Sequence, residues 1–214
     1  IRDTSVTGVQ TCALPIYLER ALAIRREIGD RRGEAANYGN LGAVFQSLGE
    51  YANAKECYEK GLAIRVEIGD REGAAADHGN LGNLFQSLGE YIRAKEHIEK
   101  SLAIRTETGC RHGAADQYEN LAVVSFELKD FVKTKEYLAK SLAINTEIGN
   151  RKGEAKVYGD HGNLFYTLGE YVKAREYREK ALAIRINLGD REGEAREYNR
   201  LGFLCLRLEE YAAA

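Results

Sequence analysis

Proline is almost absent from this sequence, since it occurs once among 214 residues, at Pro15. This scarcity favours long helices, because proline interrupts a helix interior. No run of about 18 apolar residues is present, so the sequence predicts no transmembrane helix. The 31 basic and 33 acidic residues give a net charge of −2, which leaves no basic excess for binding nucleic acid or a membrane surface.

Cysteine is also sparse, and its spacing argues against a structural disulfide framework. The four residues Cys12, Cys57, Cys110 and Cys205 are far apart and never form a C-x-x-C pair. The chain also contains no N-x-Ser/Thr glycosylation sequon. These features predict reduced thiols in a cytoplasmic protein.

The main feature of the sequence is a period of forty residues, and the 22 glycines fall in register with it. Segment 30–69 reads DRRGEAANYGNLGAVFQSLGEYANAKECYEKGLAIRVEIG, and segment 70–109 reads DREGAAADHGNLGNLFQSLGEYIRAKEHIEKSLAIRTETG. A period of this length is typical of a repeat array in which each unit stacks on its neighbours. Full units are predicted at 30–69, 70–109, 110–149 and 150–189.

Both ends of the array depart from the full unit. Residues 17–29 match the second helix of a truncated repeat, and residues 190–214 match the start of another. Residues 1–16 do not fit the period, lack the composition of a signal peptide, and include TSVTGVQTCALPI, which resembles a translated sequencing adapter. We therefore predict a fragment of a longer array, with residues 1–16 either such a scar or a native arm. Truncation would expose apolar stripes, so self-association through the ends is also predicted.

Each unit is predicted to form two amphipathic helices. In the first unit, one helix is expected from Arg31 to Leu48, with Asp30 as its N-cap, and a second from Tyr51 to Ile68. Their apolar or small residues recur every three or four positions and predict the packing faces: Tyr38, Leu41, Gly42, Phe45 and Leu48 on the first helix, and Ala54, Tyr58, Gly61, Ile64 and Ile68 on the second.

Glycine has two separate uses in this pattern. Gly49 follows the first helix, where a left-handed residue is expected, and the third unit has Lys129 at that place, which predicts a strained turn. Inside the helices, Gly82 is expected to face Ala94, so that the two backbones approach closely. A bulky residue at Ala94 should overpack this contact.

Two short motifs of the second unit recur along the chain from Tyr17 to Tyr211. One is a Leu-Gly pair followed by an aromatic residue, and the other is a glycine followed by an aromatic residue and an alanine: Leu81, Gly82 and Phe85, then Gly89, Tyr91 and Ala94. In these motifs the chain resembles the tetratricopeptide repeat. About six extra residues per unit make it similar to the forty-residue repeats of Pins/LGN polarity adaptors and to arrays that precede CHAT, NACHT or NB-ARC modules.

The resemblance implies an all-α fold, a right-handed α-solenoid of antiparallel helix pairs, whose first helices line a concave groove. Members of the family bind partner peptides there, so the resemblance implies a non-catalytic scaffold or adaptor for protein interactions. It leaves open a sensor or oligomerisation arm of a larger signalling ATPase or CHAT-type protease. A spacer without a ligand is the third possibility.

A second stripe lies opposite the packing face of each first helix, and its chemistry changes along the chain. The predicted groove residues are Asn40, Asn80, Asn83, Asn120, Asn163, Arg196, Arg200 and Arg207. Asn40, Asn80 and Asn120 share one repeat position and are expected to form a ladder. An amide donates and accepts hydrogen bonds, so the asparagines suit the main chain of an extended peptide, and the arginines suit an acidic segment. The competing interpretation is a solvated polar face.

Some tetratricopeptide proteins clamp a terminal carboxylate with lysine, asparagine and arginine from three units. Arg196 and Arg200 match part of this set, but Asp160, Glu119 and Val123 stand where other members should be. The resemblance therefore does not extend to the clamp, and a chaperone C-terminus is not the expected partner.

No catalytic, metal or cofactor site is predicted. Cys57 and His97 share one position in adjacent units and are the candidate pair for an activated thiol, but tyrosine fills this position in later units. His78 and His161 replace residues of the packing stripe and are expected to be partly buried. The sequence lacks the phosphate-binding loop pattern.

Overall fold

The computed structural model of the chain describes residues 4–212, with side chains from residue 16 to residue 208, and these residues form ten α-helices. In chain order the helices are Thr4–Glu27 (α1), Arg31–Ser47 (α2), Tyr51–Glu67 (α3), Arg71–Ser87 (α4), Tyr91–Glu107 (α5), Arg111–Glu127 (α6), Phe131–Glu147 (α7), Arg151–Thr167 (α8), Tyr171–Leu188 (α9) and Arg191–Ala212 (α10). The two helices predicted in the first unit are confirmed, and each ends one residue earlier than expected.

The helices form two compact units, Ile1–Gly109 with α1–α5 (unit 1) and Cys110–Ala214 with α6–α10 (unit 2). Within each unit every helix packs against the next one in the chain. Short turns between consecutive helices make these neighbours antiparallel. The predicted all-α solenoid of helix pairs is thereby confirmed.

The starts of the first helices are set by capping side chains. The side chains of Asp30, Asp70, Asn150 and Asp190 each accept a hydrogen bond from the backbone N–H three residues further on, at 2.9 to 3.1 Å. Such a bond satisfies one of the donors that a helix start leaves unpaired. The equivalent residue Cys110 stands at the start of α6 with no side-chain capping bond.

The helix ends follow the glycine pattern. Gly49 adopts φ +78°, and the N–H of Glu50 donates to the carbonyl of Phe45 at 2.8 Å, which closes the turn. Lys129, which stands in place of this glycine in the third repeat, adopts the same left-handed conformation with φ 61°. A side chain in this region of backbone space is costly, because its Cβ crowds the following carbonyl.

Packing within the helix pairs follows the predicted stripes in their central turns. Leu41, Leu81 and Leu121 are buried, and so are Ala54 and Ala94. A Cβ at Gly82 would lie 2.6 Å from Cγ1 of Ile98 and 3.5 Å from the carbonyl oxygen of Ala94, so this glycine packs closely on α5 with Ile98, and not Ala94, as its tightest neighbour. The stripes were extended too far at their ends, because Leu48 is 42% exposed and Ile68 is 37% exposed in the last turn before the bend.

Helix α1 begins at Thr4, N-terminal to Tyr17, where the forty-residue register places the first matching residue. The side chains of residues 1–15 lie outside the described part of the chain, as do residues 1–3 altogether. The interpretation of residues 1–16 as a non-repeat segment therefore stays a prediction.

None of the helices within residues 4–212 combines the length and the apolar character that a membrane crossing requires.

Candidate functional site

The predicted groove residues of unit 1 lie on the face of α2 and α4 that is opposite the buried leucines. Asn40 and Asn83 are exposed, and Asn80 is half-buried. Helices α2 and α4 contact each other, so these asparagines belong to neighbouring first helices of the unit. Whether they bind a peptide stays a prediction.

In unit 2 the corresponding faces of α6, α8 and α10 surround a depression of about 480 Å³, which we call the charged depression. Its lining includes Asp116 and Glu119 from α6, Lys156 and Asp160 from α8, and Arg196 and Arg200 from α10. Two of the predicted arginines thus come together with charged residues of two other first helices. Arg207 lies about two turns further along α10 and is exposed.

Glu119 lies at the base of the charged depression, with its side chain only 5% exposed. Its Oε2 is 2.6 Å from Nζ of Lys156, and its Oε1 accepts a hydrogen bond from Oγ of Ser141 at 3.2 Å. The Lys156 side chain is 63% exposed. The pair therefore joins a buried carboxylate to a lysine whose side chain is largely exposed.

Glu197 repeats this arrangement on α10, because its side chain is 1% exposed and surrounded by arginines. Arg178 donates from Nη1 to Oε2 at 3.0 Å. Arg185 and Arg200 each place a nitrogen 3.7 Å from Oε1. Burial lowers the pKa of Arg178, and the Glu197 carboxylate opposes this shift. Three cations thus surround one buried carboxylate, and one of them, Arg200, reaches the surface with 45% of its side chain exposed.

The charged side chains of the depression differ in exposure. The carboxylates of Glu119 and Glu197 are buried and paired, and Arg178 is buried with Glu197, whereas the side chains of Lys156, Arg196 and Arg200 are 45–63% exposed. The exposed Asp116 also lines the depression. Exposed charges of this kind steer and select a charged partner more than they add raw affinity.

Asp160 lies between two concave regions and lines both. Burial raises the pKa of its carboxyl to about 6, and the Glu119 carboxylate acts in the same direction, while Lys156 and Arg200 oppose the shift. Asp160 is therefore ionised at neutral pH and becomes protonated in mildly acidic solution.

The second concave region, the apolar cleft, has a volume of about 310 Å³ and is shared by α6, α7 and α8. Ala122 and Leu138 form buried parts of its lining, whereas Val123 is 44% exposed and Tyr166 is 37% exposed. Phe126, half-buried, completes the apolar wall and packs edge-on against Phe131 at 5.8 Å between ring centroids. Exposed aromatic and aliphatic side chains around a concavity are typical of a site that contacts a partner.

Asn163 lines the apolar cleft, but its amide is already engaged. Its Oδ1 accepts a hydrogen bond from Nη2 of Arg178 at 2.7 Å, and its Nδ2 donates to Oδ1 of Asp160 at 3.5 Å. This residue therefore links the buried Arg178–Glu197 pair to Asp160. The sequence predicted that the Asn163 amide binds the main chain of a peptide. For this role, Asn163 would have to exchange its present hydrogen bonds for bonds to the peptide.

Sequence reasoning did not select Glu119, Arg178 or Glu197 as site residues. One signal was available, because Arg178 stands where other units have Tyr58, Ile98 and Leu138. A charged residue at a packing position requires a buried partner of opposite charge. Finding Glu197 as that partner requires the packing of α9 against α10.

The histidines pack as expected. His161 is buried and contacts Tyr177 edge-on at 4.7 Å between centroids, and burial lowers its pKa to about 4. Nδ1 of half-buried His78 lies 3.1 Å from Nδ1 of His97, where later repeats have tyrosine pairs, one stacked and one tilted. Burial lowers the pKa of His78 to about 4, and neighbouring His97 acts in the same direction.

The candidate thiol pair is not assembled by unit 1. Cys57 packs in an apolar cluster with Leu22 and Tyr38, and burial raises the pKa of its thiol, which disfavours the reactive thiolate. His97 contacts His78 and Phe85 instead. Across the residues with described side chains, no three His, Cys, Asp or Glu come together as metal ligands.

These features define a class: a helical repeat protein whose first helices carry a polar, partly charged face. The family model of the tetratricopeptide repeat matches residues 16–67, 34–107 and 113–187, and the chain belongs to this family. Proteins of this fold are generally non-catalytic and typically act as scaffolds for protein interactions.

Solved structures agree with this fold. BtubC (BKLC) from P. vanneervenii is 21% identical over 94% of this chain and 85% of its own, with a TM-score of 0.83. A kinesin light chain with nearly identical TPR-like repeats from Podosopora anserina is 19% identical over 85% and 90%, with a TM-score of 0.69. A Rap protein complexed with Competence and Sporulation Factor is 18% identical over 94% and 60%, with a TM-score of 0.67. At these identities the likeness shows the fold alone. No curated protein matches the sequence significantly.

Proposed function

We propose that this chain is a non-catalytic scaffold or adaptor that binds an acidic peptide segment of a protein partner on the first helices of unit 2. The observation that supports this most strongly is the set of exposed basic side chains around the charged depression. Its buried carboxylates are paired, and its exposed rim carries the cations of Lys156, Arg196 and Arg200. A carboxylate of the ligand would gain charge-assisted hydrogen bonds there.

The amides of the first helices are proposed to bind the main chain of a partner segment. Asn40, Asn80 and Asn83 are available for this role in unit 1, because they lie on the exposed side of α2 and α4. Asn120 and Asn163 are the candidates in unit 2, and Arg207 extends the basic face of α10. The Rap protein of similar fold, which is complexed with Competence and Sporulation Factor, is consistent with a ligand-binding role.

The test is a fluorescence titration of the intact chain with acidic and basic peptide libraries. It is repeated for the double variant that combines Arg196→Glu with Arg200→Ala. Arg200 is neutralised and not reversed, because it lies beside the buried Glu197. Acidic peptides should bind about tenfold more weakly to the double variant, and their binding should weaken with salt. Arg175→Ala on the outer helix α9 is the matched control, since this arginine is exposed and forms a surface ion pair with Glu179. Equal binding to the double variant would overturn the proposal.

The alternative is that the chain serves as a sensor or oligomerisation arm of a larger signalling ATPase or CHAT-type protease. The similarity of its forty-residue units to arrays of that kind supports this candidate. Their similarity to Pins/LGN adaptors supports the scaffold instead. The sequence of the complete reading frame separates the two, because a phosphate-binding loop or a protease module beside the array would favour the arm.

Self-association is a further proposal, and α10 supports it with the exposed apolar side chains of Tyr198, Phe203 and Leu206. Light scattering at several protein concentrations, with Phe203→Glu as the variant, tests it. A constant monomer mass for the parent chain would contradict it. We propose the cytoplasm as the location, because sparse and widely spaced cysteines suit a reducing compartment.

A further inference from the structure

The two concavities of unit 2 are adjacent, since Asp160 lines both. One is rimmed by cations and the other by apolar side chains. A ligand that fills only the charged depression would leave Val123 and Tyr166 exposed beside it. A ligand that spans both would bury this apolar surface and satisfy the cations at once.

The distance between the two regions follows from α8, which contributes to both. Lys156 lines the charged depression and Asn163 lines the apolar cleft. Seven residues of α-helix separate them, which corresponds to roughly 10 Å along the helix axis. An extended peptide advances about 3.3 Å per residue, so this distance corresponds to about three or four residues.

We propose that the ligand of unit 2 is an extended peptide with a large apolar side chain and an Asp or Glu about three or four residues away from it. The apolar side chain occupies the apolar cleft against Val123, Phe126 and Tyr166. The carboxylate contacts the cations of the charged depression, Lys156, Arg196 and Arg200. This inference rests on the proposed function and specifies the ligand that the same site would select.

Charge explains why the acidic residue belongs at one end only. Asp160 and Asn163 separate the two regions, and Asp160 carries a negative charge at neutral pH. A ligand carboxylate placed over the apolar cleft would meet Asp160 without a neighbouring exposed cation in the lining of that cleft. The apolar and acidic positions of the ligand are therefore not interchangeable.

The outer helix α7 provides a matched control. Val132 is 79% exposed and lies outside the lining of both concavities. Val123→Asp removes apolar surface from the cleft and adds a charge beside Asp160, and Val132→Asp makes the same chemical change on α7. Both side chains are exposed, so neither change alters a buried core position.

The experiment starts from random peptides selected on the intact chain, followed by fluorescence anisotropy of one selected peptide and its variants. Selection should enrich peptides with the apolar and acidic pair at the proposed spacing. Replacing the apolar residue by serine should weaken binding about tenfold, and moving the acidic residue next to it should cost a similar factor. Val123→Asp should abolish the contribution of the apolar residue, whereas Val132→Asp should leave it unchanged.

Two negative outcomes are distinguishable. If acidic peptides bind and depend on Arg196 and Arg200 but gain nothing from the apolar residue, this inference is overturned and the proposed function stands. If no peptide is enriched and none binds, both fail. An equal loss of the apolar contribution in Val132→Asp and in Val123→Asp would also overturn the inference, because the loss would then not depend on the apolar cleft.

Discussion

Asp77 in unit 1 and Glu197 in unit 2 occupy the same position of the forty-residue repeat, but they lie in different electrostatic surroundings. Both carboxylates are fully buried near an equivalent arginine, Arg65 in one unit and Arg185 in the other. Glu197 also accepts a hydrogen bond from Arg178, where unit 1 has the neutral Tyr58. The number of cations within reach therefore differs although the helices around both sites are the same.

The consequence for Asp77 is an incompletely satisfied carboxylate. Nη1 of Arg65 lies 3.3 Å from Oδ1, but it donates its hydrogen bond to the carbonyl of Gly73, and neither Asp77 oxygen accepts a hydrogen bond. Burial raises the pKa of Asp77 to about 7, with Arg65 opposing and Asp70 adding to the shift. A repeat position that tolerates acids thus supports a charged pair only where the neighbouring helix supplies enough cations.

The largest effect should come from breaking the pair of unit 2. Glu197→Ala leaves Arg178 buried without its carboxylate and should lower the free energy of unfolding by about 3–5 kcal/mol in urea denaturation. The double change Arg178→Leu with Glu197→Val introduces the residues that Leu138 and Val157 provide at these positions. It should restore most of the loss, since an apolar pair needs no charge compensation. A loss below 1 kcal/mol (about the worth of an exposed pair) for Glu197→Ala would contradict this account.

Asp77 should make the stability of the chain depend on pH. The folded pKa of Asp77 lies near 7, above an unfolded value of about 3.9, so its stabilising contribution is complete below pH of about 4 and is lost as the pH rises toward 7. The slope should reach at most about 1.4 kcal/mol per pH unit. Asp77→Asn introduces the residue that the first repeat has at this position, Asn37, and should remove this pH dependence. The check is the urea midpoint of the parent chain and of the variant, measured across this pH range. The same dependence of the midpoint on pH in both proteins would refute the assignment.

Close packing should also differ between the units. Gly82→Ala places a Cβ 2.6 Å from Cγ1 of the buried Ile98 and should destabilise the chain by about 1–3 kcal/mol through overpacking. Unit 2 already has Ala122 at this position, packed with Leu138. Ala122→Gly should cost only about 1 kcal/mol, mainly through helix propensity. Thermal unfolding of both variants makes the comparison, and stabilisation by Gly82→Ala would show that Ile98 yields easily.

Much of the fold was predictable because each capping residue and each turn glycine acts on residues close to it in the chain. Asp30 and Gly49 act on residues within five positions in the chain, and the repetition of these signals along the chain identifies them. The charged pairs are different, because Glu119 and Lys156 are 37 positions apart and meet only after the intervening helix α7 has packed. The ends of the stripes were also unpredictable, since the exposure of Leu48 depends on how sharply the chain bends after it.

A smaller effect is expected at Asp160, the residue between the two concavities. Its raised pKa means that the carboxyl becomes protonated as the pH falls through about 6, which removes a negative charge from the edge of the charged depression. An acidic peptide should therefore bind several-fold more tightly at the acidic end of this range than at neutral pH. Titration calorimetry of the parent chain and Asp160→Asn measures this. The variant should bind with little pH dependence, and equal pH dependence in both would contradict the role of Asp160.

The smallest effect should come from the left-handed turn of unit 2. Lys129→Gly relieves φ 61° and should stabilise the chain by about 0.4–1 kcal/mol, less whatever the contact of Nζ with the Phe126 ring at 5.5 Å contributes. Gly89→Lys, the reciprocal change in unit 1, should destabilise it by a similar amount. Thermal melts of the two variants should shift in opposite directions, and shifts of the same sign would show that the turn is not the cause.

The central claim is that unit 2, and not unit 1, carries the ligand-selecting chemistry of this repeat. The most direct measurement is a backbone NMR titration of the intact chain with a selected acidic peptide. The largest chemical-shift changes should fall at Asp160, Asn163 and Arg200 on α8 and α10, with smaller changes at Asn40 and Asn80. Changes concentrated on α2 and α4, or on the outer face of α9, would contradict the claim.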